Sequence, residues 1–110
     1  MLTLHLYILQ RATALVMAPL VFAHIVVMIV AVQDGLTAAE ILGRTQGSLG
    51  WGLFYGLFVL AASIHAAIGL RVVSAEWLGL RGAALKALTF GAFGLLLVLG
   101  MRAVVAVTVP

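Results

Sequence analysis

Cysteine is absent from the 110 residues, which excludes disulfide frameworks, thiolate zinc sites and cysteine-ligated iron–sulfur clusters. Charge is scarce. Six basic and three acidic side chains make up 8% of the chain, against 65% hydrophobic residues and a mean hydropathy of +1.31. That composition excludes a disordered chain. It also excludes a soluble enzyme, because a chain of 11.5 kDa folded in water buries only about 60% of its unfolded surface and has too little interior for so much apolar area. The net charge of +3 is spread over too few side chains to mark a nucleic-acid binder. No repeat, low-complexity tract or domain boundary is visible, and residues 1–110 read as a single membrane domain.

What remains is three long apolar runs, at about 12–32, 51–73 and 87–108. A bilayer core about 30 Å thick is crossed by roughly 20 helical residues, and each run is long enough. No alternating pattern suited to barrel strands is present, and an unpaired amide in lipid costs several kcal/mol, so the runs are predicted to be helices. The first begins too late and lasts too long for a cleavable signal peptide. Thr37-Ala38-Ala39-Glu40 has capping-box spacing and predicts a short surface helix over about 37–43. The fold class expected is therefore all-α, with three transmembrane helices.

The few charges orient the chain. Arg11 precedes the first span, and Arg71, Arg81 and Lys86 surround the second connection, whereas the first connection carries Asp34 and Glu40 against Arg44. The positive-inside rule then puts the N-terminus in the cytoplasm and the C-terminus outside. The expected location is a bacterial cytoplasmic (inner) membrane, with the C-terminus periplasmic. Arg102 reaches the outer interface by extending its stem. Trp51 and Trp77 suit opposite interfaces, and His5 reads as an interface histidine.

Two histidines lie within spans, where an imidazole is costly unless it is paired, hydrogen-bonded or metal-bound. His65 has Ala61, Ala62, Ile68 and Gly69 at three and four residues' distance, mostly small side chains that a flat macrocycle could lie against. Gly52 and Gly56, continued by Ala61, Ala62, Ala66 and Gly69, also suit close helix packing. His24 has bulkier neighbours, Leu20, Val21, Val27 and Met28, and follows Pro19. It reads either as a second haem ligand or as a histidine bonded to a carbonyl that Pro19 frees. His65 lies roughly 9 Å in from Arg71 and His24 roughly 20 Å in from Arg11, so the two cannot easily clasp one metal, and each needs a ligand from elsewhere. Arg11 is either an anchor or a donor to a haem propionate or quinone carbonyl, with Tyr7, Gln10 and Thr13 within a turn.

Arg11-Ala12-Thr13-Ala14 resembles the Arg-x-Ser/Thr-Gly/Ala motif that opens the first span of the cytochrome b membrane anchor (large-anchor type) of succinate dehydrogenase, complex II, with fumarate reductase its close relative. His65-Ala66-Ala67-Ile68-Gly69-Leu70-Arg71 resembles that family's second-span His-x-x-x-Gly-x-Arg motif, and Glu76 follows where an aspartate is usual. Gln10 and Val72 stand where the family often has histidines, and Tyr7 where it often has a quinone-site serine.

The resemblance implies a haem-binding helical bundle shared with a small membrane-anchor subunit. In it His65 is an axial ligand of haem b, His24 the ligand of a second, distal haem where there are two, and Arg11 and Arg71 hold propionates. It further implies quinone as substrate at Arg11, Tyr7, Gln10 and Thr13, and flavoprotein and iron–sulfur subunits as partners that oxidise succinate. The chain itself then has no catalytic residue for succinate. Two alternatives from the residues stand beside this: a haem-free anchor or assembly protein, and the reverse reaction, quinol to fumarate.

Overall fold

The computed structural model describes residues 3–110, which form four helices: α1 (Leu4–Asp34), α2 (Ala38–Thr45), α3 (Leu49–Trp77) and α4 (Gly82–Thr108). Three of them are long and apolar enough to cross a membrane. With 31, 29 and 27 residues they extend roughly 40–47 Å, beyond the hydrocarbon, so each continues past its apolar run into the interfaces. Thr3 caps α1 by accepting from Leu6 N, and Ser48 caps α3 by accepting from Trp51 N. Pro19 sits inside α1, which continues on both sides of it.

The capping box at α2 is formed in both directions: Glu40 N donates to Thr37 Oγ1, and Thr37 N donates to Glu40 Oε2. Gly35, at φ 120°, makes the turn before it, and the Glu40 carboxylate occupies the space where a β-carbon would stand.

The central helix is α3. It packs most extensively against α4 and to a lesser extent against α1. The buried residues of α3 are Ala61, Ser63, Ala67, Ile68 and Ser74, nearly all small, as close helix approach in lipid requires. The tightest approach is at Gly100 of α4, where an added β-carbon would collide with the Val59 side chain. Gly56, by contrast, faces open space, so the Gly52/Gly56 pair expected to carry close packing does so only at Gly52, where an added β-carbon would lie 4.0 Å from the Thr108 side chain. Large apolar side chains such as Leu15 (77%) and Phe22 (71%) remain exposed on the outside, a surface suited to lipid or to neighbouring membrane helices.

The last carbonyls of α4 have no partners within their own helix, and the end of α2 and the turn that follows it supply them. Thr45 Oγ1 lies 2.6 Å from Val107 O and 3.1 Å from Ile41 O, and Gly47 N donates to Thr108 O at 2.7 Å. Thr45→Val keeps the shape but strips the hydroxyl. It is expected to cost about 1–3 kcal/mol, read as earlier thermal unfolding in detergent followed by helical circular dichroism.

Candidate functional site

Gln10, Thr13 and His65 come together where α1 crosses α3. Thr13 Oγ1 and His65 Nδ1 are 3.2 Å apart, and Gln10 Nε2 donates to the backbone carbonyl of His65 at 3.2 Å. Thr13 is buried at 6% exposure, and its hydroxyl also lies 2.9 Å from Leu9 O and 3.0 Å from Gln10 O. Gln10 Oε1 is enclosed without a hydrogen-bond partner among the described residues. The Gln10 amide passes over Gly69, whose position would put a β-carbon 3.7 Å from Nε2.

His65 itself is half-buried, and no hydrogen bond to its second ring nitrogen is formed among the described residues. Around it Ala61 and Ile68 are buried in helix packing, while Ala62, Ala66 and Gly69 stay at least partly open. The small-residue face beside His65 thus consists of Ala62, Ala66 and Gly69; Ala61 and Ile68 belong to the interior of this chain.

Tyr7 and Arg11 lie on a different, exposed face of α1, with the Arg11 guanidinium carbon 5.3 Å from the centre of the Tyr7 ring. The four neighbouring residues of the first-span cluster therefore split into two pairs: Gln10 and Thr13 toward His65, Tyr7 and Arg11 outward. Arg71 is half-buried, six residues beyond His65 on α3.

His24 stands apart, its ring edge-on to Phe58 at 5.2 Å and to Tyr55 at 6.2 Å. Phe58 precedes His65 by seven residues, roughly 10 Å along α3, so the two imidazoles occupy different levels of the bundle. The alternative of a bond from His24 to a carbonyl freed by Pro19 is not formed among the described residues. His24 instead borders an apolar cavity of about 390 Å³, bounded by Thr45 of α2, Tyr55, Phe58 and Ala62 of α3, and Gly100 and Val104 of α4. This cavity has no local signature in the sequence, because its walls come from all four helices.

The His65 site fits a haem. It offers one imidazole with a ring nitrogen already engaged by protein and the other without a partner, beside small side chains on a partly open face. Metal-bound histidines show that pattern of one anchored and one available nitrogen. His24 lacks such an anchor among the described residues. The described residues contain no group of three or more histidine, cysteine, aspartate or glutamate side chains arranged to hold a metal ion.

A family model described as the succinate dehydrogenase/fumarate reductase transmembrane subunit matches residues 1–107. No curated protein and no solved structure matches the chain.

Proposed function

Because the chain belongs to the succinate dehydrogenase/fumarate reductase transmembrane subunit family and is a multi-pass membrane protein, we propose that it is the cytochrome b anchor that passes electrons between the complex's soluble subunits and quinone. The observation that carries this reading is the anchored, half-open imidazole of His65. Its unengaged nitrogen would hold the haem iron, Ala62, Ala66 and Gly69 would leave room for the ring, and Arg71 would offer a guanidinium group to a propionate. A haem b held there would supply one-electron transfer. His24 lies at another level of the bundle, so a further ligand to that group would come from a small anchor subunit.

Arg11 and Tyr7, exposed together, face a quinone that lies between this chain and its partners, with the guanidinium donating to a carbonyl oxygen where negative charge develops. Flavoprotein and iron–sulfur subunits dock on the side bearing Arg11, Arg71, Arg81 and Lys86, the cytoplasmic face of a bacterial inner membrane. Succinate oxidation is the direction proposed, and fumarate reduction uses the same groups.

Pyridine haemochrome analysis of the purified complex is expected to give one haem per chain. A ratio of two would assign the second to His24, whose bordering cavity is the one observation favouring it. A ratio of zero would leave a haem-free anchor. Arg11→Ala is expected to lower quinone reduction about 100-fold while haem content stays near that of the unaltered complex, measured by quinone-linked turnover beside the haem spectrum. Parallel loss of haem and turnover would remove Arg11 from the quinone site.

A further inference from the structure

We infer that Thr13 is a positioning residue that fixes the proton of His65 on Nδ1, and that Gln10 assists by holding the main chain of His65. The Thr13 hydroxyl has one hydrogen and three acceptor-bearing neighbours: Leu9 O at 2.9 Å, Gln10 O at 3.0 Å and His65 Nδ1 at 3.2 Å. If the hydrogen pointed at Nδ1, the oxygen would face two carbonyl oxygens at van der Waals contact or closer with nothing between them. With the hydrogen on a carbonyl, as threonines within helices commonly place it, the hydroxyl's lone pair is turned to the ring and Nδ1 must be the donor. The neutral imidazole then carries its lone pair on Nε2. Gln10 Nε2, bonded to His65 O, ties the same two helices one turn away and limits sliding of the ring past Thr13.

This inference rests on the ligand reading of His65 and adds to it. The proton is set by this chain before any iron arrives, and the Nδ1–H···O bond makes Nε2 a stronger donor to the metal, which favours the ferric state. Gln10 and Thr13 thereby act through His65, leaving Arg11 and Tyr7 to meet quinone.

The test compares the unaltered protein with Thr13→Val, which keeps the β-branch, and Thr13→Ser, which keeps the hydroxyl. In the full chain with ¹⁵N-labelled histidine, reconstituted without haem at a pH where imidazole is neutral, the expected His65 signal is the Nδ1–H form for the unaltered and Ser chains and a mixture for Val. In the complete complex, Thr13→Val is expected to raise the haem midpoint potential by a tenfold change in relative ferric stabilisation, about 59 mV for a one-electron couple, with Thr13→Ser restoring it. An Nε2–H form in the unaltered chain, or the same form in Thr13→Val, would overturn the inference, as would an unmoved potential. Absence of haem from every complex would instead overturn the ligand reading, and the nitrogen signals would still decide what Thr13 does.

Discussion

His65→Ala is expected to abolish the low-spin haem absorbance of the complex. Partners one shell removed from a metal are worth roughly 10–100-fold in its retention, and loss of the ligand itself removes more than that. The ring is half-buried and its one side-chain hydrogen bond among the described residues is to Thr13, so its removal is expected to leave the buried residues of α3 in place and the helices assembled. The orphaned Thr13 oxygen still has Leu9 O and Gln10 O for its hydrogen. Reduced-minus-oxidised spectra of the purified complex check this, with His24→Ala alongside. The first variant should lose the signal and the second retain it, and an unchanged spectrum for His65→Ala would reject it as ligand.

Gly100→Ala is expected to cost about 1–3 kcal/mol of stability, although a single methyl is added. The new carbon would fall on the Val59 side chain, and both γ-carbons and the β-carbon of that residue are close. A β-branched side chain in a helix has one strongly preferred rotamer and cannot swing aside. The α3–α4 pair must therefore separate, and with it one wall of the cavity beside His24. Val59→Ala opens the space the methyl needs. In a double-mutant cycle followed by thermal unfolding in detergent, the pair should recover about 0.5–3 kcal/mol relative to the sum of the single changes, and additive costs would show that the helices do not meet there.

Much of the architecture was legible in the sequence, because hydrocarbon imposes a simple constraint: apolar runs of sufficient length must satisfy their own backbones. The capping box at Thr37 and Glu40 was readable for the same reason, its partners being three residues apart. The helices run past the apolar segments because interfacial residues such as Leu4–Gln10 continue the hydrogen-bond ladder at no desolvation cost. His65 stood out as an imidazole in an apolar span, but its tie to Thr13 crosses 52 positions and has no local signature. Spacing placed Gln10 and Thr13 beside Arg11, whereas the angle at which α1 meets α3 sends them to a different face. In the same way, spacing placed Ala61 and Ile68 on the His65 face without revealing that α3, as the central helix, needs them for its own packing. Gly100 carried no sequence signal, since the separation of two helices is fixed by what both present at one level.

The bonds from Thr45 and Gly47 to the final carbonyls of α4 join segments some 60 residues apart, so they close only once the last span has been made. While the ribosome is still delivering the last span, α1 and α3 stand as an open hairpin and the chamber beside His24 has neither its far wall nor its latch. In the finished fold that chamber still opens to its surroundings, so an apolar guest exchanges with the lipid without the latch being undone.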